Sequence, residues 1–172
     1  MVRTHLSSLF LAVFAAIGSL CSTAQASSPE GQQIVHESWT FKDGAPEVVT
    51  ALAQTSDGSL WLGSPSGLFR FDGGRFELFR SPFGDSLYST NVTALLAVGD
   101  GLWVGYLFGG FSFVKHGKVT NFAEQTSSIG GFAHDKRGTT WAGAAASAQS
   151  SGLWRHDGTA WQLIGMDWGI LK

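Results

Sequence analysis

Apolar and polar residues alternate in short runs along most of the chain, without helical spacing beyond the first 26 residues. Within residues 48–80, four such runs follow one another: "VTALAQ", "SLWLGS", "GLFRFD" and "RFELFR". This alternation is typical of short strands with one buried face. Asp-Gly pairs at 57–58, 72–73 and 157–158 indicate tight turns, because both residues tolerate a positive φ. The pattern therefore predicts four short antiparallel strands in this unit.

The same pattern occurs three times, in residues 48–80, 91–122 and 129–164. The units share a tryptophan followed two residues later by glycine: Trp61 and Gly63, Trp103 and Gly105, Trp141 and Gly143. The tryptophans lie 42 and 38 residues apart. Four antiparallel strands recurring every ~40 residues predict an all-β fold of about three four-stranded β-propeller blades, an incomplete propeller.

The repeated tryptophans and glycines are predicted to be structural. Neighbouring blades pack face to face, and a large aromatic side chain fills the space between two sheets. A glycine two residues later allows a neighbouring chain to approach closely. We therefore expect these six positions to hold the fold together.

Both ends of the chain lie outside the three units. Residues 1–26 resemble a secretory signal peptide, with basic Arg3, an apolar run over residues 9–20 and a small-residue cleavage site after Ala26. An uncleaved membrane anchor is the alternative, but a span needs about 20 apolar residues. Residues 27–47 are interpreted as a leader and a first strand that leads into the repeats, and residues 165–172 as the start of a fourth blade.

Composition and charge narrow the function classes. The one cysteine, Cys21, lies in the signal segment, so the mature chain is expected to form no disulfide or thiolate metal site. The formal net charge is −2, and no run of like charge attracts nucleic acid or anionic lipid. The remaining histidines do not have metal-ligand spacing, so we predict no metal and no cofactor: His36, His116, His134 and His156.

The units resemble the two-component regulator propeller repeat, whose pattern runs V-x-x-[IL]-x-x-D-x-x-G-x-[LI]-W-[IV]-G-T-x-x-G-L-x-[RK]-[FY]. The first unit matches it at Val48, Asp57, Gly58, Leu60, Trp61, Gly63, Gly67, Leu68 and Phe71. The second matches at Val92, Gly101, Leu102, Trp103, Val104 and Gly105. The likeness covers residues 34–172, and the third unit departs from the pattern by an Ala/Ser insertion.

The resemblance implies a periplasmic or extracellular sensor region that precedes a membrane span and a cytoplasmic histidine kinase, hybrid kinase or diguanylate cyclase. Those downstream parts do not occur in this sequence, which therefore looks like a truncated sensor. Closed propellers have about four to eight blades, so three blades leave two open end faces. A fragment of a longer protein is favoured, and self-association of two three-bladed chains is the alternative.

Candidate ligand contacts are predicted on the longer loops, because binding residues concentrate on loops above a rigid scaffold. These loops span residues 81–90, 106–110, 123–128 and 144–151. Aromatic Tyr88, Tyr106 and Phe108 and polar Asp85 are the candidates for an unknown small polar ligand such as a saccharide. The alternative is that these side chains only fill space in the loops.

The favoured function is a periplasmic ligand-sensing input module without enzymatic activity. A secreted self-associating, adhesive or carbohydrate-binding propeller is the second hypothesis. A propeller lyase or hydrolase is the third, and it would need convergent carboxylates or histidines at the loop face. Asp85 and Glu124 are the main acids there, which is too few.

Overall fold

Three four-stranded antiparallel sheets make up the fold, as a computed structural model shows for residues 37–123, 126–145 and 152–164. The first sheet contains β1 (Ala51–Gln54), β2 (Leu60–Ser64), β3 (Gly67–Phe71) and β4 (Phe76–Leu78). The second contains β5 (Val92–Val98), β6 (Gly101–Tyr106), β7 (Phe111–Lys115) and β8 (Lys118–Phe122). The third contains β9 (Ile129–His134), β10 (Thr140–Ala144), β11 (Gly152–His156) and β12 (Trp161–Ile164). The predicted blades are thus confirmed.

Each sheet is a meander in which consecutive strands are neighbours. The tryptophan of each unit lies on the second strand and is paired on both sides: Trp61 with Ala53 and Arg70, Trp103 with Leu96 and Phe113, Trp141 with Ala133 and Arg155. The tight turns that join the strands contain glycines with positive φ, such as Gly58 at 85° and Gly158 at 104°. The repeat in sequence is therefore a repeat in structure.

The first and second sheets pack through a shared apolar cluster. Trp61 and Leu68 from the first sheet meet Val104 from the second. Val92 is fully buried over Gly63, where an added Cβ would lie 2.6 Å from its Cγ1 atom. The Thr50 hydroxyl donates a hydrogen bond of 2.6 Å to the Val92 carbonyl. This glycine is required because any side chain would displace the next sheet.

The second and third sheets repeat this contact with different side chains. Ile129 is fully buried over Gly105, where an added Cβ would lie 2.6 Å from its Cγ2 atom. The Thr93 hydroxyl donates to the Ile129 carbonyl at 2.7 Å. Trp103 packs edge-on against Trp161, with ring centroids 5.0 Å apart. Trp61 and Trp103 thus each pack between neighbouring sheets, at two equivalent interfaces.

Trp141 differs from the other two tryptophans. It is half-buried, and its Nε1 atom donates to Asp135 at 3.1 Å. Among the described residues, no further sheet lies over the face that contains Trp141 and Gly143. Trp141 is therefore not seen to fill a space between two sheets, because the described residues place no neighbouring sheet on this side.

The described part of the segment before the first sheet, residues 37–47, contains a short 3-10 helix, Phe41–Asp43, and no strand. The rest of the predicted leader and first strand, residues 27–36, lies outside the described residues. Thr40 and Asp43 form a capping box, and Gly44 ends the turn with a φ of 85°. Trp39 covers one end of the first sheet, 5.1 Å from the Phe71 ring. The local capping hydrogen bonds thus favour a turn.

The two ends of the chain cannot be compared with their predictions. The signal segment at residues 1–26 and the start of a fourth blade at residues 165–172 lie outside the described residues. Within the described ranges, no helix has the length and apolar character of a membrane span.

Candidate functional site

A cleft of about 460 Å³ lies beside the first sheet, between its outer strand and the connection to the second sheet. The first sheet contributes Gly67 and Leu68 at the start of β3 and residues 78–80 at and after the end of β4, and Ser66 precedes β3 in the loop that follows β2. The other lining residues belong to the connection at residues 81–90. The loop and the connection therefore lie on the same side of the blades.

Three hydrogen bonds that involve side chains join the connection at residues 81–90 to the second sheet. The Val119 backbone N–H donates to the Asp85 carboxylate at 3.4 Å. The Asn121 side-chain amide donates to the Ser86 carbonyl at 2.9 Å, and the Tyr88 N–H donates to the Ser112 hydroxyl at 3.3 Å. One wall of the cleft therefore belongs to the first sheet, and the other is hydrogen-bonded to the second.

The lining is rich in hydrogen-bonding groups. It combines the Arg80 guanidinium, the Asp85 carboxylate and the hydroxyls of several serines and of Tyr88. Arg80 forms no ion pair within the described residues. Arginine, carboxylate and hydroxyl groups around an aromatic ring can bind a small ligand that carries its own hydroxyls.

A buried hydrogen-bond network in the second sheet holds the connection at residues 81–90 in place. The Tyr106 hydroxyl donates to the Ser112 hydroxyl at 2.6 Å, which in turn donates to the Asn121 side-chain oxygen at 2.6 Å. Tyr106 and Ser112 are fully buried. Burial raises the pKa of the Tyr106 phenol above its ordinary value. Tyr106 therefore remains a neutral donor that fixes Ser112, which holds the backbone of Tyr88.

The four residues proposed from the sequence are separated by the structure. Tyr88 and Asp85 both line the cleft, and both are exposed. Tyr106 ends strand β6 in the interior, so it is removed from the candidate ligand contacts. Phe108 is 79% exposed in the loop between β6 and β7, and it does not line the cleft. Glu124 lies outside the described residues.

Sequence reasoning missed several polar residues that the structure places in the cleft. These residues are Ser66, Arg80 and Ser86. Arg80 and Ser86 both belong to the run "RSPFGDSLYST", residues 80–90. The high density of hydroxyl groups in that run was the available signal. Ser66 belongs to a different loop, and no sequence pattern connects that loop with the run.

A second, larger groove of about 820 Å³ lies on the side of the tight turns. Arg80 lines both the cleft and this groove, and the other charged groups of the groove have partners within the protein. Arg70 donates to the Ser59 hydroxyl at 2.7 Å, and Asp100 accepts from Lys115 at 2.9 Å and lies 2.7 Å from His116. Because these groups have partners, the first cleft is the better candidate for ligand recognition.

The described residues do not contain three or more His, Cys, Asp or Glu side chains placed to hold a metal ion. The histidines among those residues make other contacts or lie in exposed turns. His134 lies 3.1 Å from the Thr140 hydroxyl, and the His156 ring packs against Trp103 at 4.7 Å.

The fold and the repeat together define a class of protein, a propeller built from Trp-x-Gly blades. Residues 43–66 match the family model described as "Two component regulator propeller". The matched segment contains β1, β2 and the turn between them. The chain therefore carries a two-component regulator propeller repeat, and the resemblance seen in the sequence is confirmed.

Two solved structures, both of an extracellular domain from B. thetaiotaomicron, are similar to this chain. One is described as part of a hybrid two component system, with 19% identity and a TM-score of 0.38 over 69% of this chain and 21% of that one. The other is described as part of a one component system, with 20% identity and a TM-score of 0.39 over 69% and 22%. The chain thus spans about a fifth of their length. Comparison with the curated proteins gives no match.

Replacing Tyr106 with phenylalanine is expected to lower the free energy of unfolding by about 1 kcal/mol, because Ser112 loses one partner. The unfolded chain loses the phenol proton near pH 10, whereas the folded chain retains it. The free energy of unfolding should therefore fall as the pH rises above about 10. Urea denaturation of both proteins between pH 8 and pH 11 measures the difference. An equal decline in both would show that the buried phenol does not contribute.

Proposed function

We propose that the chain is a ligand-sensing input module of a two-component-type signalling protein, located in the periplasm or outside the cell. The cleft beside the first sheet is its recognition site, and a small polar ligand of the saccharide class is its ligand. The proposal is supported most by one observation: hydroxyl, carboxylate and guanidinium groups surround Tyr88 next to a two-component regulator propeller repeat.

The cleft suits a sensing role because its walls belong to different sheets. Ser66 and Gly67 belong to the first sheet, whereas the Asp85 and Tyr88 segment is hydrogen-bonded to the second. A ligand that contacts both walls prefers one relative arrangement of the two sheets. Such a difference in affinity between two arrangements is what a binding event needs to shift an equilibrium.

We place the transmitter in another part of a longer protein, as in the histidine kinases, hybrid kinases and diguanylate cyclases that the resemblance implies. The input module then acts without chemistry of its own. A lyase or hydrolase would require several acidic or basic groups close to one another in the cleft. Asp85 is the one carboxylate among the described residues that line the cleft.

Calorimetric titration of the folded chain with a panel of neutral and acidic mono- and oligosaccharides tests the proposed binding. Asp85→Asn and Tyr88→Ala should each weaken binding of the saccharide that binds best by about tenfold or more, which corresponds to ~1.4 kcal/mol. Phe108→Ala should leave the affinity unchanged, because Phe108 is exposed outside the cleft.

Circular dichroism of each variant distinguishes a lost contact from a lost fold. Tyr88 lies against Gly110, where an added Cβ would be 2.6 Å from its ring, so its removal could disturb the packing. Asp85→Asn retains an acceptor for the Val119 N–H and therefore tests the charge alone. The proposal would be overturned if no saccharide binds, or if Phe108→Ala weakens binding while the cleft variants do not.

A further inference from the structure

His156, the last residue of β11, lies at the contact between the second and third sheets. Its imidazole lies next to two aromatic rings of the second sheet, Trp103 and Phe122, with centroids 4.7 and 5.5 Å away. Trp161 of the third sheet lies 5.3 Å away and packs edge-on against Trp103. A titratable group is thus placed among the aromatic side chains that join the two sheets.

The two nitrogens of this imidazole have different surroundings. Nδ1 accepts a hydrogen bond of 3.2 Å from the Gly158 backbone N–H, so the neutral ring carries its proton on Nε2. Nε2 is buried and has no hydrogen-bond partner among the described residues. The neutral form of His156 fits this arrangement, because Gly158 needs an acceptor and an apolar contact favours an uncharged group.

A second proton on the ring changes both contacts. It binds at Nδ1, where it removes the acceptor of the Gly158 N–H. The resulting positive charge is shared by Nε2, which is shielded from water. Burial accordingly lowers the pKa of His156 below its ordinary value, although the neighbouring Asp157 carboxylate raises it.

The third sheet places two other ionisable side chains beside this ring, Asp157 and His134. Hydrogen bonds within the turn that follows β11 hold the pKa of the Asp157 carboxyl below its usual range, so it stays negatively charged in mild acid. His134 lies two strands away on the same face, because both histidines pair with Thr140, and its Nδ1 lies 3.1 Å from the Thr140 hydroxyl. The side chains that the second sheet places against the ring are aromatic and do not ionise in mild acid.

We infer that the contact between the second and third sheets is acid-sensitive, with His156 as the residue that binds the proton. Neutral His156 keeps the contact closed, and a proton at Nδ1 releases the Gly158 N–H and loosens the third sheet from the second. A proton shifts this equilibrium because it binds better to the loosened arrangement, in which water reaches the ring. This inference goes beyond the proposed function, since the interface is separate from the ligand cleft and its response requires no saccharide.

The direction of the pH dependence follows from the order of the two pKa values of His156. In the loosened chain the ring has the ordinary histidine pKa of about 6.5, and in the closed chain its pKa is lower. The contribution of the contact to stability is therefore complete above about pH 7 and declines as the pH falls through about 6.5. One proton limits this loss to about tenfold between pH 7.5 and pH 5.5, a range in which ordinary carboxylates stay charged.

Amide hydrogen exchange of the full chain at pH 7.5 and pH 5.5, corrected for the intrinsic exchange rate, tests the inference. Protection of β11 and β12 should fall by about three- to tenfold in acid, whereas protection of β2 and β3 should change by less than about twofold. His156→Phe keeps an aromatic ring and removes the proton site, so the difference between the two sheets should disappear. His134→Gln is the matched control, because it removes another histidine of the same sheet and should retain the wild-type response.

Long-range ¹H–¹⁵N NMR spectra of the wild-type chain test the same inference without a substitution. At pH 7.5 the His156 ring should carry its proton on Nε2, and its second proton should bind with a midpoint below about 6.5. A proton on Nδ1, or a midpoint above 6.5, would overturn the inference, since the aromatic rings would then favour the charged form. An equal response of the first and third sheets, the lack of any response, or a response that persists in His156→Phe would overturn it as well.

Discussion

Trp103→Ala should lower the free energy of unfolding by about 3–5 kcal/mol, the usual cost of removing a large aromatic side chain from a core. Trp103 lies between the second and third sheets, in contact distance of the Phe113 and Trp161 rings at 4.7 and 5.0 Å. Its loss leaves a cavity that two sheets share. Because a domain of this size is stable by only about 5–15 kcal/mol, the third sheet should detach before the rest unfolds. Chemical denaturation followed by circular dichroism measures the change.

Trp141→Ala is the matched control for this prediction. Trp141 has the same position on its strand, but it is only half-buried. Its removal should cost distinctly less, about 1–2 kcal/mol. Trp103→Phe keeps an aromatic ring in place and provides a folded variant if the alanine substitution prevents folding. Equal losses at Trp103 and Trp141 would contradict the assignment of Trp103 to an interface between sheets.

Gly105→Val should destabilise the chain by about 1–3 kcal/mol or more through overpacking. An added Cβ at Gly105 would lie 2.6 and 2.7 Å from the Cγ2 and Cβ atoms of Ile129. The Cβ of Ile129 is fixed to the backbone, so a change of rotamer cannot relieve the clash. The third sheet must move away from the second, which weakens the packing of Trp161 on Phe111. Thermal or urea denaturation at low protein concentration reports the loss.

Gly143→Val is the control, because it introduces the same side chain at the equivalent position of the third sheet. Among the described residues, no atom lies within 4 Å of the added Cβ, so the change in stability should stay within about 0.5 kcal/mol. A loss at Gly143 equal to that at Gly105 would mean that the clash with Ile129 is not the cause.

The sequence predicted the blades because their determinants are local and repeated. Alternation within each strand and an Asp-Gly turn after it specify a hairpin, and the spacing of Trp61, Trp103 and Trp141 shows that the hairpins recur. The segment before the first blade was harder to predict. Thr40 followed by Asp43 is a capping pattern that favours a turn, and the repeat pattern that begins at residue 48 does not cover this segment.

The environment of a repeated residue depends on its neighbours, and sequence alone does not specify them. Trp141 has the same local pattern as Trp103, yet it is half-buried because the described residues place no sheet over it. Tyr106 is predicted at the start of the loop at residues 106–110. It belongs to β6, and Ser112 on the next strand satisfies its hydroxyl. The pairing of β6 with β7 brings Ser112 next to Tyr106, and the sequence alone does not specify this contact.

The sequence predicts only part of the candidate cleft, because the lining residues come from separate segments of the chain. Asp85 and Tyr88 lie close together in one long connection, so a search for polar loops finds them. Ser66 reaches the same cleft from the loop between β2 and β3. Its proximity follows from the packing of the first blade against the connection.

Methyl-to-backbone nuclear Overhauser effects in the isotope-labelled chain test the central claim, that successive sheets pack by placing a β-branched side chain over a glycine. The account predicts cross-peaks between the Val92 methyls and the Gly63 α-protons, and between the Ile129 methyls and the Gly105 α-protons, since both contacts are closer than about 4 Å. Cross-peaks at both positions would establish two equivalent interfaces. The absence of either one from a folded chain would contradict the stacking of the three sheets.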